Sequence, residues 1–210
     1  MIPTKYYDEL KNKGVYISEE SNVDSNAIIL FNSVILGKSK IEKNVVVGPN
    51  TIIIDSVICK GTQIINSFVS DSYIGANTTV GPFANIKSNS DIGDKCRIGN
   101  FVEVKNSKIM NEVKAAHLAY IGDSYIGNRT NFGCGSITVN YDGKNKHQTI
   151  IGDDVFVGSN SNLVAPITIS DSSFIACGST ITEDVPNNTL SIARSRQVNK
   201  VDYFKDNNTK

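Results

Sequence analysis

Aliphatic residues recur every six positions along most of this 210-residue chain. Ile17, Val23, Ile29, Ile35, Ile41, Val47 and Ile53 hold the spacing. Ile74, Val80, Ile86, Ile92, Ile98 and Val104 resume it, and Ile151, Val157, Leu163, Ile169, Ile175 and Ile181 carry it on. An amphipathic helix would need a period near 3.6, and a half-buried strand a period of two. A period of six fits a short strand followed by a corner, with the aliphatic side chain inward. Gly after Ile74, Val80 or Val157, and Asn at 44, 77 and 128, would help the backbone turn at positive φ. Three such units close a triangular coil of about 18 residues, and successive coils stack as parallel strands about 4.8 Å apart. Each buried Ile or Val contributes roughly 1.5–3 kcal/mol. One coil cannot offset its own ordering entropy, so stability requires the stack. The pattern predicts an all-β parallel β-helix over residues 15–186.

Both ends depart from the period. Tyr6, Tyr7 and Leu10 fall at helical spacing with Gly14 as a C-cap, which predicts a short helical segment within residues 1–14. After Pro186 the period is lost, and residues 187–210 are expected to form an irregular tail, basic at Arg194, Arg196 and Lys200, with a disordered polar end. Within the stack, five-residue steps such as Ile53 to Ile58 and Val104 to Ile109 each trim a corner. Two breaks differ in kind. In KAAHLAY (114–120) the inward slot holds the small Ala115, and His117, one of two histidines in the chain, follows it. After Thr138 the next inward residue is Ile151, so residues 139–150 form an insertion. Its turn residues Asn140, Asp142, Gly143 and Asn145, with Lys144, Lys146 and His147, predict a polar arm projecting from the solenoid. Loops on a rigid scaffold commonly carry function.

Composition narrows the classes. Twenty-one basic residues balance 21 acidic ones, so nothing marks an electrostatic footprint for nucleic acid or an anionic membrane. No apolar run approaches the roughly 18 residues of a transmembrane helix, and MIPTKYYDEL lacks a signal-peptide core. A soluble, cytoplasmic protein without membrane insertion is expected. Cys59, Cys96, Cys134 and Cys177 form no CxxC pair, which predicts small half-buried thiols and no metal site. Tryptophan is absent and aromatic residues make up 8%, which argues against a stacking platform for single strands.

The repeat resembles that of the hexapeptide-repeat transferases, whose solenoid is a left-handed parallel β-helix. Longer stretches are more specific: IGNFVEVKNS (98–107), AHLAYIGD (116–123), NFGCGSITVNYDGKNK (131–146), IGDDVFVGSNSNLVAP (151–166) and ITEDVPNNTLSIARSRQ (181–197). Through them, residues 15 to 200 resemble the C-terminal acetyltransferase domain of the bifunctional glucosamine-1-phosphate acetyltransferase / N-acetylglucosamine-1-phosphate uridyltransferase family. The resemblance implies acetyl transfer from acetyl-CoA, a co-substrate, to the amine of glucosamine 1-phosphate, for UDP-N-acetylglucosamine and cell-wall precursor synthesis. It implies no metal requirement for that step, and a homotrimer with sites between subunits. The uridyltransferase half has no counterpart in these residues, so no uridyltransferase activity is expected from this chain.

The same resemblance assigns residues. His117 falls at the general base, with Glu103 a carboxylate near it. Lys87, Lys105, Tyr120, Asn131 and Lys146 fall where the family holds the sugar phosphate. Cys134, Asn140, Tyr141, Ser159, Cys177 and, in the tail, Arg194 fall where it holds acetyl-CoA. These residue types suit the chemistry. An ammonium has no lone pair, so a base must take its proton, and neutral imidazole is poised for this near pH 7. Lysine suits phosphate as a compact charge, and arginine can meet a CoA phosphate with paired hydrogen bonds. A backbone N–H or the Ser159 hydroxyl could stabilise the thioester oxygen as it gains charge.

Departures from the family pattern bear on these expectations. Lys87 stands where the family usually has Arg, which keeps the charge but loses the forked contact; weaker sugar-phosphate binding is expected. Cys134 and Cys177 stand where Ala is usual. Three other readings remain: a related acyltransferase acting on a different amino sugar, a non-catalytic β-helix scaffold, and a zinc enzyme on the same solenoid. The last would need three histidine ligands, and the chain has two histidines.

Overall fold

A computed structural model describes residues 7–203. It is a left-handed parallel β-solenoid of about ten turns, built from strands mostly two or three residues long. Each turn crosses three faces in order. The first face stacks Ile35, Ile53, Val69, Ile86, Val104 and Ile121. The second stacks Ile41, Ile58, Ile74, Ile92, Ile109, Ile126 and Ile151. The third stacks Val47, Ile64, Val80, Ile98, Ala115, Phe132, Val157 and Ile175. These columns are buried and form one continuous core cluster. The five-residue steps leave the columns aligned: Ile58 still pairs with Ile41 although it follows Ile53 by five. Ala115 lies beneath Phe132 in its column, small under large.

Polar residues close the corners. A Ser or Thr two positions before an inward aliphatic turns its hydroxyl into the stack. The Ser56 N–H donates to Ser39 Oγ at 3.3 Å, and the Ser72 N–H to Ser56 Oγ at 3.1 Å. At the corner between the second and third faces, carboxylate and amide oxygens form a ladder. The Ala76 N–H donates to Asp94 Oδ1, the Asp94 N–H to Asn111 Oδ1, and the Asn128 N–H to Asp153 Oδ1, at 2.7–2.8 Å. Corner N–H groups that no strand can pair are thereby satisfied.

Two strands are longer. Arg97–Lys105 and Lys114–Gly122 each run nine residues, around the corner from the third face to the first. They pair with each other on both faces and merge these into one 18-stranded sheet, while the second face is a separate 9-stranded sheet. The predicted N-terminal helix is present as one turn, Tyr7–Leu10, with Gly14 at φ +62°. Its expected start and the expected disordered C-terminal end lie outside the described residues. A last strand, Leu190–Ser191, pairs with Phe174–Ile175, so the ladder runs past the boundary expected at Pro186.

Ile98 is fully buried mid-stack. Ile98→Ala should cost about 2–5 kcal/mol, read as a lower midpoint of urea unfolding. An unchanged midpoint would show that the column does not carry the fold.

Candidate active site at a solenoid corner

His117 sits on the Lys114–Gly122 strand where the chain rounds from the third face to the first. Two residues after each inward residue of the third face, successive turns present Asn100, His117, Cys134, Ser159 and Cys177 at this corner. The His117 ring is exposed, and its Nδ1 lies 2.9 Å from Asn100 Oδ1. Cys134, Ser159 and Cys177 are exposed one turn after another, and Arg194 in the tail reaches back to place Nη1 3.5 Å from Cys177 Sγ. Three expected acetyl-CoA residues therefore share the corner column that holds His117, and a fourth, Arg194, reaches it from the tail.

The first face carries the expected sugar-phosphate side. Lys87 pairs in register with Lys105, and Glu103 with both Asn85 and Tyr120. The Lys87 ammonium donates to Glu103 Oε1 at 3.0 Å, and Asn85 Nδ2 lies 3.5 Å from Oε2. Glu103 is thus engaged along its own face, while the partner of the His117 ring is Asn100. Asn131 lies across the corner, on the third face, paired with Lys114 and Phe156. The corner stands between Asn131 and the two lysines.

The arm leaves at the opposite edge of the first face, where it meets the second. Asn140 at its base is buried, and its amide donates to Asp123 Oδ2 and toward the Tyr120 hydroxyl at 3.4 Å. This ties two expected binding residues to the scaffold and adds Asp123, which the sequence did not single out. Beyond Asn140 the insertion is a tight hairpin bridged at Tyr141 and Lys146. Asp142 organises it, accepting from the Lys144 and Asn145 N–H groups and from His147 Nε2, each at 2.7 Å. The Asn145 N–H, then His147 and the Lys144 N–H, hold the Asp142 carboxyl well below the usual carboxylate range. Lys146 and His147 line a groove of about 550 Å³ with Asn106, Lys108, Asp123 and Tyr125. The two histidines occupy different corners, so they do not converge as metal ligands. Among the described residues, no group of three or more His, Cys, Asp or Glu is placed to hold a metal ion, and no helix is long and apolar enough to cross a membrane.

The cysteines divide, where four half-buried thiols were expected. Cys59 and Cys96 are buried beside the core; Cys134 and Cys177 are exposed, because their corner faces outward. Burial pushes the Cys96 thiol up to about 11 and raises that of Cys59.

These features define a hexapeptide-repeat β-helix with a polar site at one corner. A family model described as the GMPPB C-terminal domain matches residues 68–165. Bifunctional protein GlmU of Geobacillus sp. (strain WCH70) is 53% identical over 188 residues, covering 90% of this chain and 41% of that protein. The GlmU of Clostridium tetani is 52% identical over 205 residues, covering 94% and 45%. Among solved structures, UDP-N-acetylglucosamine acyltransferase from Campylobacter jejuni aligns with TM-score 0.52 at 18% identity, over 84% of this chain and 71% of that one, and shows a shared fold. The chain is similar to the C-terminal part of the bifunctional GlmU proteins. It spans less than half the length of the curated relatives it matches.

A thiol reagent should modify Cys134 and Cys177 quickly in the native protein and all four cysteines after unfolding; four fast thiols at the outset would contradict the burial of Cys59 and Cys96. For Asp142, a depressed folded-state pKa means that its contribution to the arm is present above the unfolded value of about 3.9 and is lost only as pH falls through the lower folded value. An NMR titration should give a carboxyl midpoint below about 3.9, and one at or above it would contradict the hairpin network.

Proposed function

We propose that this chain transfers an acetyl group from acetyl-CoA to the amine of glucosamine 1-phosphate, with His117 as general base. Similarity to the C-terminal part of bifunctional GlmU proteins supports acyl transfer in amino-sugar and cell-wall precursor synthesis. The observation that carries the finer reading is the placement of His117. It is an exposed imidazole between a face bearing Lys87 and Lys105 and a column bearing Cys134, Ser159 and Cys177. The lysines suit a phosphate, and the column with Arg194 suits the thioester donor.

The amine reacts once His117 has taken its proton. Its lone pair attacks the thioester carbonyl carbon, forming the C–N bond and a tetrahedral oxyanion. The Ser159 hydroxyl or a neighbouring corner N–H donates to that oxygen. Collapse breaks the C–S bond and the coenzyme leaves as its thiolate; the imidazolium returns its proton to that thiolate, and the nitrogen of the new amide releases its second proton to solvent. Holding the two reactants in line supplies much of the acceleration.

Within one chain, Asn131 and Lys146 lie away from the Lys87–Lys105 pair, on the third face and on the arm. A homotrimer that sets the arm of one subunit against the corner of another would complete the site. Apolar surface beside His117 suits such a contact: Phe83 and Phe101 stack at 5.6 Å while more than half exposed, with Leu118 on the next turn.

Purified protein with acetyl-CoA and glucosamine 1-phosphate should release free thiol, and His117→Ala should slow release about 10²–10⁴-fold. No release by the wild type would reject the reaction, and equal rates would reject the base. Lys87→Arg should lower KM for the sugar phosphate several-fold at unchanged kcat, because a guanidinium restores the forked contact. An unchanged KM would remove Lys87 from the phosphate site. Other amino sugars in the same assay test the alternative acceptor that the lysine at position 87 favours.

A further inference from the structure

We infer that Asn100 is a positioning residue that sets the tautomer of His117, and so decides which ring nitrogen acts as the base. The inference rests on the acetyl-transfer reading above. Asn100 and His117 are register partners, one turn apart, in the two strands that run unbroken around the corner. His117 Nδ1 lies 2.9 Å from Asn100 Oδ1. An amide oxygen only accepts, so the ring nitrogen facing it carries the hydrogen. The neutral ring then keeps its lone pair on Nε2. An imidazole without a partner favours the opposite tautomer, with Nε2 protonated and unable to accept a proton from the amine.

The mount is rigid. Ladder pairs flank the contact on both sides, Ile98 with Ala115 and Val102 with Ala119. Gly99 lets the two turns close at this point, since a Cβ there would lie 1.8 Å from the Ala116 carbonyl oxygen. The next residue in each turn, Phe101 at φ +58° and Leu118 at φ +31°, is held in the left-handed region although neither is Gly. Side chains flanked by such fixed backbone have little freedom to part. An amide also orients the ring without adding a charge, so the imidazolium formed in the reaction can give its proton to the departing thiolate. The neighbouring carboxylate, Glu103, is paired with Lys87 instead.

Because the chain has two histidines, ¹⁵N NMR of the labelled protein resolves the tautomer directly, with His117→Ala assigning the signals. In buffer alkaline enough to leave the ring neutral, the wild type should show a protonated Nδ1 and a bare Nε2. Asn100→Ala should shift the ring toward protonated Nε2, and Asn100→Asp, which keeps an acceptor, should restore the wild-type pattern. In the thiol-release assay Asn100→Ala should lower kcat about 10- to 100-fold with both KM values little changed, and Asn100→Asp should recover most of it. A protonated Nε2 in the wild type, or the same tautomer in wild type and Asn100→Ala, overturns the inference. So does a tautomer that switches while kcat does not. Failure of the broader reading would look different: the tautomer would switch as stated, while His117→Ala and wild type showed the same activity.

Discussion

The short strands of this solenoid can satisfy their backbone N–H and C=O groups only on the turns above and below, and everything else depends on that constraint. A one-residue slip would turn every inward aliphatic outward, so the hydrogen-bond ladder and the hydrophobic columns enforce the same register. Length variation is pushed into the corners, where five-residue steps are absorbed without disturbing the column from Ile41 to Ile58 to Ile74. The arm obeys the same rule: Ile126 and Ile151 remain paired although the whole hairpin lies between them in sequence.

A scaffold so regular leaves its chemistry at the positions it does not use for packing. Inward slots are closed to function, and corners are where side chains on successive turns align outward at a fixed spacing. The column of Asn100, His117, Cys134, Ser159 and Cys177 arises in this way from residues spread over nearly eighty positions of sequence. The two long strands add what ordinary corners lack, an extended path that holds Asn100 and His117 side by side. Left-handed conformations at bulky residues such as Phe101 and Leu118 cost about 1–3 kcal/mol each and persist where the surroundings over-determine them. Here the surroundings are ladder pairs on two faces. The conservation of register that builds the core is also what aims the imidazole.

Polar corners are the second device. Inward hydroxyls such as Ser39 and Ser56 and outward oxygens such as Asp94 and Asn111 take the N–H groups of bent backbone. The arm reuses this chemistry at smaller scale, with Asp142 gathering two backbone donors and a histidine. Asn140 anchors the hairpin by its amide to Asp123. The arm is thus tied at its base and folded at its tip, as an element needs to be if it is to meet a neighbouring subunit in a defined position.

The period of six was enough to determine the solenoid, its inward columns and the location of both interruptions, because each rests on local spacing that any stack must respect. The similarity to GlmU proteins was likewise legible in contiguous stretches such as AHLAYIGD. Partnerships across turns were not. Asn100 precedes His117 by the local length of one turn, yet which side chains touch at a corner depends on how the backbone bends there. Cys96, two positions before the inward Ile98, proved buried, while Cys134 and Cys177, two positions after the inward Phe132 and Ile175, proved exposed. Glu103, adjacent in sequence to the expected site, is paired with Lys87 because face neighbours outcompete corner neighbours within reach of a short carboxylate. Spacing along the chain set the columns, and only the stacked turns, by bringing residues some seventeen positions apart into hydrogen-bonding distance, decided which of them share a task.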